Sequence, residues 1–136
     1  MQLTPIIAIH LAAALAATAL GPIALWARKG RTQRPRLHRA AGYAWVTLMV
    51  ATAVSAIFIS GGNGPRWGSF GLIHLLIPLT LGMLVVSFVL LARRNIVGHR
   101  QTMQYIYVGA CVVAGGFTLL PNRLLGHSLW TALGMA

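Results

Sequence analysis

The 136-residue chain contains no aspartate and no glutamate. That absence removes several chemistries at once. A carboxylate acid–base pair, a carboxylate proton relay and side-chain carboxylate ligands for magnesium or calcium have no residues to build them. Hydrolytic chemistry is therefore not expected. Cysteine is almost as scarce: the single Cys111 cannot form an internal disulfide, so the redox compartment stays open. Set within an apolar run, it reads as a small buried hydrophobe. Charge of any kind is rare, at 8% of residues, where soluble domains carry about a quarter.

What remains is apolar. Hydrophobic residues make up 57% of the chain, and the mean hydropathy is +0.76. Segments of about 20 apolar residues cross a bilayer as helices, and four such segments use nearly the whole length. The expected fold is all-α, a single integral membrane four-helix bundle over residues 1–136. The helices should run from about Thr4 or Pro5 to Ala27, Leu37 to Ser60, Phe70 to Ala92 and Gly98 to Leu120. Residues 122–136 read as a short amphipathic helix in the interface. The first segment lacks a basic start and is too long for a signal core, so it reads as a retained helix. Along it, Ala13, Ala17 and Gly21 form a small-residue face that lets a neighbour approach closely. Pro22 should kink its inner end. In the second helix Thr47, Ala51 and Ser55 suggest a mildly polar stripe.

The formal charge of +11 is unevenly placed. Arg28, Lys29, Arg31, Arg34, Arg36 and Arg39 crowd the first connector, and Arg93, Arg94 and Arg100 the third. Only Arg66 and Arg123 fall in loops on the opposite side. Basic residues in short flanking loops mark the cytoplasmic face. The chain should therefore sit in the bacterial cytoplasmic membrane with both termini outside. Its basic face should meet anionic lipid headgroups. Nucleic acid is not an expected partner, because no basic groove or reader module is present.

The sequence also repeats itself. Ile9-His10-Leu11 opens one apolar run and Ile73-His74-Leu75 another. Each run closes on basic residues and is followed by a His-Arg pair, His38-Arg39 and then His99-Arg100. The chain thus reads as a two-helix unit written twice, about 4–60 and about 70–121, split by the turn Gly61-Gly62-Asn63-Gly64-Pro65. His10 and His74 take equivalent outer positions, His38 and His99 equivalent inner ones. A parallel pseudo-two-fold packing would bring each pair face to face. Ionisable residues inside membrane helices are costly and usually functional. Two facing imidazoles in a helix bundle suit a haem with both axial positions filled. Arg66 and Arg123 outside, with Arg39 and Arg100 inside, are placed to meet haem propionates, and serve equally well as topology signals. Zinc fits less well, since each layer offers two histidines and no third ligand. Copper stays open through His99 and Met103, which share a helix face. His127 has no counterpart in the repeat.

The stretch from Ile9-His10-Leu11 through Leu37-His38-Arg39-Ala40-Ala41-Gly42-Tyr43, with the ending Phe117-Thr118-Leu119-Leu120-Pro121-Asn122-Arg123, resembles a bacterial membrane family. That family is catalogued as domain of unknown function 2306. The resemblance covers nearly the whole chain and implies a four-helix membrane fold without an assigned activity. More loosely, the order of histidines is similar to that of the cytochrome b-561 superfamily, whose four-helix core holds two haems between histidines of different helices. Carried over, that likeness implies two haem b sites, an outer one on His10 and His74 and an inner one on His38 and His99. The expected function is transmembrane electron transfer, a membrane oxidoreductase activity with a quinol or other redox partner. The alternative is a cofactor-free accessory subunit packed against a larger membrane complex.

Overall fold

The computed structural model describes residues 3–59, 66–68 and 70–135, with residues 66, 67, 70, 72 and 73 described by backbone alone. The turn expected at residues 61–65 and the helix end at Ser60 lie outside them.

Helix α1 spans Pro5–Trp26 and α2 spans Pro35–Ile57. Thr4 caps the first, its hydroxyl accepting the Ile7 N–H at 3.4 Å. Both helices begin on a proline at the first turn, where the missing N–H has no partner to lose. That is why α2 starts at Pro35 rather than at Leu37. At 1.5 Å per residue the two helices reach about 33 and 35 Å. They are the two described helices long and apolar enough to cross a membrane.

A two-residue ribbon follows, β1 (Arg66–Trp67) antiparallel to β2 (Phe70–Gly71), with Arg66 paired to Gly71. The third helix does not begin at Phe70. The ribbon leads into a 3-10 turn at Leu72–Leu75, which runs into α3, Leu76–Ala92. Arg93 and Arg94 close a tight reversal in which Arg94 adopts φ 60° and the Asn95 N–H reaches back to the Leu90 carbonyl. Asn95 then caps the next helix, its side-chain oxygen accepting the Gly98 N–H at 2.9 Å.

The fourth segment also departs from expectation. Instead of one helix from Gly98 to Leu120, α4 covers Ile96–Ile106, a π-helical stretch covers Tyr107–Val113, and α5 covers Ala114–Phe117. Wide π turns are frequently found at functional sites. A final helix, α6 (Leu124–Ala132), folds back on the end of α5, where the Gly126 N–H donates to Thr118 and the Trp130 indole to the Leu119 carbonyl.

Four segments share one core: Ala17 of α1, Trp45 and Met49 of α2, Leu84 of α3 and Ile106 of α4. Ala13, Ala17 and Gly21 are buried as a face, as their spacing implies. In α2 the buried residues are Ala41, Trp45, Met49, Ala53 and Ser55; of the expected stripe only Ser55 turns inward, with Thr47 and Ala51 exposed. The small residues on α1 make room for the large ones on α2.

One contact in this core follows directly from the sequence. Pro22 has no N–H, so the carbonyl four residues back, on Thr18, loses its helical donor. The Tyr107 hydroxyl supplies it, donating to the Thr18 carbonyl at 3.0 Å. Gly21 is what lets the ring come so close: a methyl group there would collide with the Tyr107 ring and lie 3.2 Å from the Trp45 indole nitrogen. Gly21, Pro22 and Tyr107 thus form one fitting, which fixes the start of the π stretch against α1.

Candidate functional site

A cavity of about 290 Å³ opens in the half of the molecule where α1 begins and α2 ends. That is at the lower edge of the range for small-molecule sites, roughly 300 Å³ and upward. Its walls are largely apolar, with Met49 among them, and Ala110 and Ala114 bring the π stretch and α5 to its side. His10, His74 and Arg123 all line it. His10 and His74, the pair expected on the outer side, are therefore brought to one space, together with Arg123.

The other candidates are placed differently. His38 and His99 do not border this cavity; each sits in its own hairpin. Arg100 is exposed and donates to the Arg28 carbonyl at 2.6 Å, tying the start of α4 to the first connector. Arg39 is exposed, as is His127, and the side chain of Arg66 lies outside the description. Arg34 stacks over Trp26, 5.5 Å from the ring centroid.

The hydrogen bonds of the four repeat histidines settle where each ring carries its proton. A backbone carbonyl can only accept, and a backbone N–H can only donate. His10 Nδ1 lies 2.9 Å from the Thr52 carbonyl and 3.0 Å from the Ser55 hydroxyl, which itself donates to that carbonyl. His38 Nδ1 lies 2.8 Å from the Ala24 carbonyl. His99 Nδ1 lies 3.0 Å from the Ser87 carbonyl and 2.9 Å from the Ser87 hydroxyl. In the neutral ring all three carry the proton on Nδ1 and keep a lone pair on Nε2. His74 is the reverse. Its Nδ1 accepts the Gly71 N–H at 3.0 Å, and its Nε2 donates to the Ile59 carbonyl at 3.2 Å.

These bonds also fasten the helices. His38 ties the start of α2 to the end of α1, and His99 ties the start of α4 to α3. The repeat seen in sequence is thus a repeat of the same clasp. The carbonyl acceptors of this scheme were not foreseen, nor were Ser55 and Ser87 as its members. Both serines are buried, Ser87 completely. Their signal was visible: hydroxyls inside apolar helices need a partner, and each lies in the helix that pairs with a histidine helix.

Among the described residues no group of three or more His, Cys, Asp or Glu side chains could hold a metal ion. A zinc site of three or four protein ligands has no donors there. A haem with two axial histidines needs no such group of three. Cys111 is half-buried, with its thiol 3.8 Å from the Met49 sulfur.

The family model described as predicted membrane protein (DUF-2306) matches residues 7–129. No curated protein and no solved structure matches the chain.

Proposed function

We propose, for a chain that belongs to the domain of unknown function 2306 family of predicted membrane proteins, that it carries electrons across a bilayer on two b-type haems. The reading places the chain in the bacterial cytoplasmic membrane as a four-helix bundle with both termini outside. Nine of its eleven cations would then face the cytoplasm and the anionic lipid there.

One observation carries the reading. Histidines that bind metal almost always donate their other ring N–H to a carbonyl or similar acceptor, which fixes the tautomer and aims the lone pair. His10, His38 and His99 all have that arrangement, at matched places in a duplicated unit. In this reading His38 and His99, each held in its own hairpin, would be the two ligands at the inner layer. At the outer layer His10 would bind, and the cavity it shares with His74 would receive the group.

The rest is chemistry this chain supplies by itself. Thr52, Ala24 and Ser87 hold the three rings through their carbonyls and make them better donors. The walls of the outer cavity are largely apolar, and Arg123 gives it one cation for an anionic group such as a propionate. When bound, haem would supply one-electron redox chemistry at potentials set by axial ligation, hydrogen bonding and burial. A quinol or another small reductant is the proposed electron donor.

The test is a reduced-minus-oxidised absorption spectrum of protein purified from haem-replete cells. Two b-type components are expected. A colourless preparation with all four histidines intact would sink the proposal.

A further inference from the structure

The four histidines are equivalent in sequence but not in protonation, and the odd one lies in the outer cavity. His74 faces the Gly71 N–H with Nδ1, so that nitrogen must present its lone pair and the ring proton must sit on Nε2. Axial binding through Nε2 would require the proton to move to Nδ1. There it would point at a backbone N–H, replacing a hydrogen bond with two opposed donors. The Gly71 backbone is itself held, because Gly71 pairs with Arg66 in the ribbon. Both ring nitrogens of His74 are engaged, and the bond from Nε2 to Ile59 would be lost as well. His10, on the same cavity, has none of these obstacles.

From this asymmetry we infer that the outer site holds its iron through His10 alone and leaves the opposite position to a small exogenous ligand of the diatomic class, such as carbon monoxide, nitric oxide or dioxygen, with His74 standing off the metal. This rests on the haem reading above. It departs from the symmetric pairing implied by the repeat, and it divides the work between layers. At the inner layer His38 and His99 both keep a lone pair on Nε2, as a haem with both positions filled would require for electron transfer. The outer layer is suited to ligand binding, because steric access to an open position helps decide whether a haem binds gas or only passes electrons. His74 borders the same cavity with its Nε2–H given to the Ile59 carbonyl, which holds the ring off the metal.

Carbon monoxide added to the reduced, haem-containing full-length protein is the probe. One of the two spectral components should shift and the other should not. In the oxidised protein, electron paramagnetic resonance should show one high-spin and one low-spin centre. His10→Ala should remove the component that responds to carbon monoxide and spare the other. His74→Ala should keep both components. Two low-spin centres inert to carbon monoxide would overturn the inference while leaving the haem reading intact, and so would loss of the outer component in His74→Ala. Absence of haem would remove the reading itself and this inference with it. The wild-type spectra decide the matter even where a variant fails to fold.

Discussion

Tyr107→Phe removes one oxygen atom, and the structure says what that costs and when it should cost nothing. The Thr18 carbonyl has no helical donor, because residue 22 is proline. Its partner is the Tyr107 hydroxyl at 3.0 Å. Deleting that hydroxyl leaves a carbonyl in an apolar setting unpaired, at a cost of about 1–3 kcal/mol. Replacing Pro22 with alanine shifts the balance. Residue 22 then has an N–H, which can close the ordinary helical bond to Thr18, so the hydroxyl becomes dispensable. Pro22→Ala alone should stabilise the helix, by up to about 3 kcal/mol from propensity. In that background Tyr107→Phe should cost less than about 0.5 kcal/mol, an exposed-site value. The coupling between the two substitutions should therefore be about 0.5–3 kcal/mol, above the roughly 0.3–0.5 kcal/mol scatter of independent sites. Reversible unfolding of the four proteins in mixed micelles, followed by far-ultraviolet circular dichroism, measures it. If Tyr107→Phe costs the same in the wild-type and Pro22→Ala backgrounds, the hydroxyl is not replacing the missing donor, and the two residues are not coupled through Thr18.

Two further substitutions test the ends of the helices. Gly126→Ala places a methyl group against the Leu120 carbonyl and should undock α6 from α5. Trp130 loses its bond to Leu119 in that event, so its fluorescence should shift to the red; an unchanged spectrum would contradict the packing. Arg94→Gly relieves a left-handed conformation at φ 60° and should stabilise the α3–α4 reversal by about 0.5–1 kcal/mol. A lower unfolding midpoint in the same micelles would show that the arginine side chain contributes more than its backbone strain costs.

The parts of this molecule that could be read from sequence are those that depend on spacing. Ala13, Ala17 and Gly21 recur every four residues, and a smooth face is the direct consequence. The recurrence of Ile-His-Leu was legible for the same reason, and His10 and His74 do line one cavity. The buried face of α2 was not. In a soluble helix the apolar side is the inside, but among lipid tails both sides are apolar and hydrophobicity no longer points inward. Thr47, Ala51 and Ser55 suggest a polar stripe on α2, yet volume decides instead: Trp45 and Met49 turn toward the small residues of α1. Tautomers were hidden for another reason. They depend on which carbonyl or N–H a ring meets, and that meeting is set by tertiary packing. The π stretch likewise has no period of its own in the sequence; Tyr107, fastened to Thr18, stands at its start.

The same hydrogen bonds say which side chains could stand in for the rings. His10, His38 and His99 each reach a carbonyl through Nδ1, the ring nitrogen nearer the backbone. An asparagine amide nitrogen lies at a comparable reach and also donates, so each of these three clasps needs only a short donor. His74 uses both ring nitrogens, Nδ1 accepting from Gly71 and Nε2 donating to Ile59. An asparagine oxygen could take the Gly71 N–H, but no short amide spans to the Ile59 carbonyl as well. Three of the repeat histidines are thus replaceable as fasteners, and the fourth, which bridges two backbone segments through the width of its ring, is not.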